Sequence, residues 1–255
     1  MRVLTSVVLK MACVALLLFV AGCDGDNGIT GPTPPPQAPS PPGDGGGMGD
    51  VARGGLLYDS WWTINGAAEP TSSNPGYPGT GTQSGSTTWR CKECHGWDYQ
   101  GVDGAYGSGS HFTGIAGVLA AKDESAESLF DQIRMGGNHD FSGVLSDQDV
   151  ADLVEFVQMG TLDMNTVINF DSKQAMGNVE SGQTLWSGAG QCSNCHGADG
   201  RGNVTDVPAD AKDNPWEVLH KIRWGHPGSS MGSGVELGLS LSDQVDILAY
   251  SQSLP

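Results

Sequence analysis

The sequence has little positive charge for its length. Its 255 residues include 12 lysines and arginines against 29 aspartates and glutamates, which gives a formal net charge of −17 at pH 7. A surface of this sign repels the phosphates of nucleic acids and of anionic membranes, so we expect no nucleic-acid partner. It attracts basic proteins, and such association weakens as the salt concentration rises. We therefore expect protein partners with basic docking surfaces.

The sequence also lacks an apolar run long enough to span a membrane comfortably. Its N-terminus instead has Arg2 and Lys10 ahead of a short apolar stretch, an order typical of a secretory signal. The small residues before Cys23 resemble the lipobox of bacterial lipoproteins; the alternative is an ordinary cleavage site beside a cysteine. We expect a signal peptide over residues 1–22 and a lipid on Cys23. The lipid would anchor an exported chain at the periplasmic or extracellular face of a membrane.

Apolar side chains are nearly absent from residues 23–50. This segment consists mostly of Asp, Gly, Pro, Ser, Thr and Asn, including three consecutive prolines and three consecutive glycines. Such a composition cannot bury apolar surface, so it predicts a disordered tether.

The rest of the sequence contains two similar halves. Three short motifs occur in the same order in both: residues 91–96 and 192–197, residues 133–134 and 222–223, and residues 145–148 and 241–244. Repetition in a fixed order indicates two homologous units. We assign residues 51–161 to the first unit, 162–177 to a linker and 178–255 to the second.

Each half contains the pattern of three helices. A first helix is predicted near residues 51–60 or 179–186, a middle helix has one apolar face, and a last helix begins after Ser146 or Ser242. In the second half, Asn214, Pro215 and Glu217 have the N-cap, N1 and N3 pattern of a helix start. The sequence therefore predicts an all-α fold. Units of this size with glycine-rich loops need something further to pack around.

Each half also has the spacing Cys-x-x-Cys-His, formed by Cys91, Cys94 and His95 and by Cys192, Cys195 and His196. Two thiols at this spacing can each add to one vinyl group of a haem, and the adjacent histidine can supply an axial nitrogen to the iron. A covalently bound haem would also enlarge the core of a small helical unit. The pattern therefore predicts two haem c groups.

Other uses of paired cysteines fit the sequence less well. A thiol–disulfide exchange site would follow a strand in a βαβ unit, and no such unit is visible. A structural zinc site needs four ligands grouped together, whereas each pair lies in its own half. Disulfides between the pairs would leave His95 and His196 unexplained.

Taken together, both halves resemble class I cytochrome c domains, which have an N-terminal helix, Cys-x-x-Cys-His, a variable loop and a distal ligand before the C-terminal helix. The second half matches over about residues 178–255. The first matches over about residues 51–160, with an insertion near 63–88 that we expect to form an ordered loop at a haem edge. The resemblance implies two tandem domains, each of about three helices wrapped around a haem.

The resemblance also implies the distal ligands. The family places a methionine in the loop before the last helix, and Met231 occupies that position in the second half, with His226 as the alternative. The first half has no methionine there. His139 lies close to the position and is the first choice, with His111 and Met135 as alternatives.

These ligand sets predict a carrier of single electrons rather than an enzyme, because two protein ligands on each iron leave no open position for a substrate. The alternative is a haem enzyme, or a cytochrome subunit of one, of the dihaem peroxidase or thiosulfate-oxidising type. Such an enzyme would have its open site at the haem of the first half, called haem 1, if neither His139 nor His111 binds there. A multi-haem stacked assembly is a third hypothesis.

Overall fold

A computed structural model describes residues 49–202 and 205–255. The predicted signal peptide over residues 1–22, the lipid site at Cys23 and the tether up to residue 48 lie outside the described residues. Within the described ranges, no helix is both long enough and apolar enough to cross a bilayer.

The described part of the chain is all-α, as the sequence predicts, and contains only two isolated β-bridges besides helices, turns and loops. The α-helices are α1 (Val51–Asn65), α2 (Cys91–His95), α3 (Ala126–Met135), α4 (Asp147–Glu155), α5 (Val179–Ser187), α6 (Ser193–His196), α7 (Val207–Asp213), α8 (Pro215–Trp224) and α9 (Leu241–Ser253). A π-helical turn, Phe156–Gly160, continues α4.

The first and last helices of each half pack against each other at a glycine. α1 lies on α4 where Gly54 faces the main-chain oxygen of Asp152, and α5 lies on α9 where Gly182 faces that of Asp246. A side-chain carbon at either glycine would collide with that oxygen. Glycine is therefore required at both crossings, because the two backbones are in direct contact.

The entry into each first helix is fixed in the same way. Asp50 caps α1 and Asn178 caps α5 through their side chains. The main-chain N–H of Asp50 donates to Asp152 at 2.8 Å, and that of Asn178 donates to Asp246 at 2.6 Å. A carboxylate on the last helix thus holds the start of the first helix in both halves.

The start of α9 corrects one prediction. The sequence placed this helix after Ser242, but its N-cap is Ser240, and Ser240 forms a capping box with Asp243. The matching box on α4 is formed by Ser146 and Asp149. The capping box requires an acidic or amide side chain three residues after the serine. In the repeated Leu-Ser-Leu-Ser of this segment, only Ser240 has one. The helix starts therefore align Ser146 with Ser240, whereas the repeated motif aligned Ser146 with Ser242.

The middle of the second half contains one predicted and one unpredicted helix. α8 begins as the sequence indicates, with Asn214 accepting from the N–H of Glu217 and Pro215 in the first turn. α7 was not predicted, although it has the same signals: Asp206 accepts from the N–H of Ala209, and Pro208 lies in the first turn.

The segment between the halves is packed rather than loose. Met164 and Ile168 are fully buried, and Ile168 forms a bridge with Ala175. α8 of the second half packs directly against α1 of the first. Buried apolar residues from both halves therefore belong to one continuous core.

Arg53 on α1 forms ion pairs with Asp149 and Asp152 on α4. Both carboxylates are buried, while the arginine is partly exposed. Burial by itself raises the pKa of Asp149, but hydrogen bonds from Ser146 and Arg53 outweigh it and lower the pKa from its ordinary 3.8. A carboxyl group whose pKa is lowered by folding contributes stability above its unfolded pKa and loses that contribution as the pH falls through the folded value.

We predict that Arg53→Gln lowers the free energy of unfolding at pH 7 by about 1–3 kcal/mol, because it leaves two buried carboxylates without a cation. The difference from the unaltered protein should shrink as the pH falls below 3.8 and through the lowered pKa of Asp149, where that carboxyl group takes up a proton. Denaturant unfolding followed by circular dichroism at several pH values measures both effects.

Arg134→Gln is the matched control, because Arg134 pairs with the exposed Asp147. Its cost should be about 0.5 kcal/mol or less. Equal losses in the two variants at pH 7 would show that the α1–α4 ion pairs have no special weight.

Candidate functional site

Cys91, Cys94 and His95 lie on the short helix α2, which ends at Gly96 with a left-handed φ of 76°. All three side chains line one cavity of about 470 Å³ in the first half. Most of the other lining side chains are apolar, among them Trp89, Ile115, Val118, Leu129, Ile133, Phe141, Leu145, Leu153 and Val157. The cavity is therefore of the size and character of a cofactor site.

The imidazole of His95 is held in one tautomer. Its Nδ1 lies 2.7 Å from the carbonyl oxygen of Ala116, and a carbonyl can only accept, so Nδ1 donates. Burial lowers the pKa of His95 to about 4, so the ring is neutral at pH 7. A neutral imidazole whose Nδ1–H is bonded to a carbonyl has its Nε2 lone pair free for a metal. Histidines that bind metals through Nε2 commonly donate their Nδ1–H to a main-chain carbonyl in this way.

His139 lies across the same cavity. Its Nδ1 donates to the carbonyl of Gln132 at 3.0 Å, and burial lowers its pKa, so it too is a neutral imidazole with Nε2 free. The ring centroids of His95 and His139 are 5.9 Å apart, with 40° between the ring planes.

This spacing suits two ligands on one metal ion. Metal–imidazole bonds are about 2 Å long, so two imidazoles on opposite sides of one ion have centroids about 6 Å apart. The separation of 5.9 Å between His95 and His139 agrees with that value.

The other two candidates for this position lie elsewhere. His111 has its Nδ1 2.9 Å from a carboxylate oxygen of Glu93 and its ring stacked on Tyr106 at 4.8 Å. Met135, the last residue of α3, is 69% exposed. Of the three, the structure brings His139 into the cavity beside His95.

The cysteines have the character of unreactive thiols. Burial raises the pKa of Cys91 and of Cys94 to about 12, and that of Cys192 to about 11. Catalytic and redox-active cysteines have lowered pKa values, so these raised values count against a disulfide-exchange site. Within the described residues, no group of three or more His, Cys, Asp and Glu side chains is placed to hold a metal ion such as zinc.

The insertion at residues 63–88 forms one wall of the cavity. Asn74 and Tyr77 line it. The segment is held by hydrogen bonds from Trp89 Nε1 to the carbonyl of Ser72 and from the N–H of Asn74 to Thr88 Oγ1, both 2.8 Å long. The sequence predicted an ordered loop here, and the structure gives it a defined position beside the cavity.

The second half repeats the surroundings of the proximal histidine. His196 ends α6, and the N–H of Gly202 donates to its carbonyl at 2.8 Å, as the N–H of Gly101 does to that of His95 at 2.9 Å. Trp186 donates to the carbonyl of Gly197 at 2.9 Å. In the first half the corresponding bond runs from Tyr58 to Gly96 at 2.6 Å.

One feature of His196 indicates that a group binds to it. Its Nδ1 is buried and has no hydrogen-bond partner within the described residues, and burial lowers its pKa. The ring lies beside Trp186, with 5.9 Å between centroids. A buried nitrogen without a partner is rare enough in proteins to require an explanation, and a bound group that reorients the ring would supply one.

Met231 is half-buried in the loop after α8. Its N–H donates to Ser229 Oγ at 3.1 Å, and its carbonyl lies against Gly225. The alternative ligand, His226, is exposed, and its electrostatic neighbours include Asp59 of the first half. The pairing of His196 with Met231 stays a prediction.

Sequence reasoning missed the groups that orient the site. The carbonyls of Ala116 and Gln132 leave no trace in the sequence, because every residue has one. Tyr58 and Trp186 could have been found, since each is an aromatic residue eight positions after the N-cap of its helix.

Comparison with protein-family models gives no match, and comparison with curated proteins also gives none. Among solved structures, the chain is similar to the Kuenenia stuttgartiensis reducing HAO-like protein complex, with 14% sequence identity over 73% of this chain and 98% of that chain and a TM-score of 0.26. A score this low does not establish a common fold. The function must therefore be inferred from the geometry of the two sites.

Proposed function

We propose that the chain is an exported dihaem c-type cytochrome, anchored through a lipid on Cys23, that carries single electrons between protein partners. The observation on which this rests is the cavity of the first half. It brings together two half-buried thiols, Cys91 and Cys94, the fixed imidazole of His95 and a second imidazole, His139, at the separation that two axial ligands require.

The residues of this cavity fit a haem. Cys91 and Cys94 would hold it through thioether bonds, and His95 and His139 would be the axial ligands. The haem would supply reversible one-electron chemistry at its iron. The carbonyls of Ala116 and Gln132 keep the two imidazoles in the ligating tautomer. The apolar walls keep water away from the site.

The position of His139 favours a carrier over an enzyme. An enzyme of the peroxidase or thiosulfate-oxidising type would need an exchangeable position at haem 1. With His139 facing His95 across the cavity, these two imidazoles would both hold the iron, and no position would remain open to a substrate. Electron exchange with a partner needs no open position.

We propose that the second half binds a haem in the same way, through Cys192 and Cys195, with His196 and Met231 as axial ligands. A thioether ligand raises the potential of a haem iron relative to an imidazole. The first site should therefore have the lower potential. Electrons would then pass from the first half to the second.

The charge of the chain suits protein partners with basic surfaces. The net charge of −17 includes no haem propionates, which would add to it. The rate of association with a basic partner should fall as salt is added.

The first prediction concerns covalent attachment. The exported protein should have the mass of the chain from Cys23 onward with its lipid, plus two haems, and both haems should remain bound after acid extraction. Replacing Cys91 and Cys94 by alanine should remove one haem, and so should replacing Cys192 and Cys195, because each pair bonds a separate group. A mass equal to that of the bare polypeptide would overturn the proposed function.

The second prediction concerns the axial ligand of the first site. His139→Ala should convert one low-spin ferric haem to a high-spin form that binds cyanide, because it vacates one axial position. Electron paramagnetic resonance of the oxidised protein measures this change. His111→Ala is the control and should leave the spectrum unchanged, since His111 pairs with Glu93. A low-spin spectrum retained in His139→Ala would exclude His139 as the ligand.

The third prediction concerns potentials. A spectroscopic redox titration should show two separate one-electron steps, and the lower one should belong to the first site. His139→Met should raise only that lower step, because it replaces an imidazole by a thioether. Two equal potentials in the unaltered protein would contradict the assigned ligand difference.

A further inference from the structure

A cluster of buried aromatic side chains lies where the two halves meet, and most of it has no part in either candidate site. None of its six rings is more than 2% exposed. The first half contributes Tyr58, Trp97, Tyr99 and Phe156, and the second contributes His220 and Trp224, both from α8.

His220 is at the centre of this cluster. Its ring centroid lies 5.0 Å from that of Trp97, 5.8 Å from that of Tyr58 and 5.9 Å from that of Tyr99. Phe156 is also in contact, at 6.0 Å. One side chain of the second half therefore touches four rings of the first.

Hydrogen bonds fix the rings in place. His220 Nε2 lies 3.1 Å from the carbonyl of Gly55, which can only accept, so Nε2 bears the proton and Nδ1 accepts from the Tyr99 hydroxyl at 2.8 Å. Trp224 Nε1 donates to the same hydroxyl oxygen at 3.3 Å. Each polar side-chain atom of the network formed by His220, Tyr99 and Trp224 has a partner, and fully satisfied buried networks are rigid.

One end of the cluster reaches the first site. Tyr58 lines the cavity, and its hydroxyl donates to the carbonyl of Gly96, the residue that follows His95. Trp97 comes next in the chain and packs on His220. The cluster thus begins at the loop that holds the proximal histidine.

The other end reaches the loop proposed to ligate the second site. Trp224 is the last residue of α8, and its ring packs on Phe156 with 5.6 Å between centroids. The next residue, Gly225, lies against the main chain of Met231. Packed atoms therefore connect the cavity of the first half with the segment that bears the proposed distal ligand of the second.

We propose that this aromatic cluster is the route by which an electron passes between the two redox sites, and that the ring of Trp224 completes it, because both Phe156 and the Tyr99 hydroxyl lead to that ring. The inference rests on the proposed function. One electron would be lost by the reduced group held at the first site and gained by the oxidised group held at the second. No proton moves and no bond is made or broken.

The physical reason is packing. Electrons cross protein by tunnelling, which decays more slowly through atoms in contact than through gaps or water, and protein interiors are close-packed. Trp224 is the ring of the cluster that adjoins the loop bearing Met231. It can be reached from Tyr58 through Phe156, with ring centroids 5.2 and 5.6 Å apart, as well as by way of His220.

The rings act as a medium and are not themselves oxidised. Three cations surround the ring of Trp97: Arg90 at 5.8 Å, Lys92 at 5.4 Å and Lys221 at 5.7 Å from its centroid. Positive charges over an aromatic face stabilise the neutral ring and oppose removal of an electron from it.

The test compares Trp224→Ala with Trp224→Phe in the exported protein. Both variants lose the hydrogen bond to Tyr99, but only the first leaves a gap where the ring was. A substoichiometric light-driven pulse of electrons into the oxidised protein should produce a transfer phase from the first site to the second whose rate is independent of protein concentration. We expect Trp224→Ala to lose most of this phase and Trp224→Phe to retain it. The midpoint potentials and the resonance spectra of both sites should be unchanged in both variants.

His220→Ala is the control and should keep the internal phase, because Tyr58 still reaches Trp224 through Phe156. Trp224→Leu takes the place of Trp224→Ala, with the same expectation, if the alanine variant fails to fold. An unchanged internal phase in Trp224→Ala or Trp224→Leu, with both haems present and both potentials normal, would overturn the inference and leave the proposed function intact. Equal loss in Trp224→Ala and Trp224→Phe would also overturn it, because filling the space with a ring would then make no difference. A chain that carries no haem would overturn the proposed function together with the inference.

Discussion

The hydrogen bond between His95 and the carbonyl of Ala116 is the interaction on which the chemistry of the first site depends. It determines which ring nitrogen carries the proton and therefore which one is free to bind a metal. A single main-chain oxygen, placed by the loop after α2, thus orients a neutral imidazole and leaves its Nε2 free. The hydrogen bond from His139 to the carbonyl of Gln132 orients the imidazole on the opposite wall of the cavity in the same way.

The carbonyl oxygen of Ala116 keeps its position because the helices that surround the site are held rigidly. In each half the first and last helices touch through glycine, and a carboxylate on the last helix holds the N-terminal end of the first. These contacts use main-chain atoms and short polar side chains, which cannot shift far. The long loops that form the site are therefore anchored at both ends by contacts with little freedom.

The sequence predicted the features that depend on residue type and local spacing. The all-α fold and the start of α8 followed from periodicity and capping residues, and the Cys-x-x-Cys-His spacing located the thiols and histidines. It ranked His139 first but kept His111 and Met135 as alternatives, because the choice depends on how the chain folds across the cavity. It also misplaced the start of α9. Ser240 and Ser242 are both possible N-caps, and the capping box between Ser240 and Asp243 selects Ser240. The partners of His220 lie in the other half of the chain, so no local pattern reveals them.

The contact at Gly55 has a consequence for how separable the halves are. A side chain at Gly55 would collide with Trp224, so α1 presents a groove shaped for a helix that is encoded far later in the sequence. Severing the chain between the halves would leave Trp97 and Tyr99 facing water on one fragment and His220 on the other. Although the sequence looks like a tandem of independent modules, each half would expose buried aromatic side chains to water if it were separated from the other.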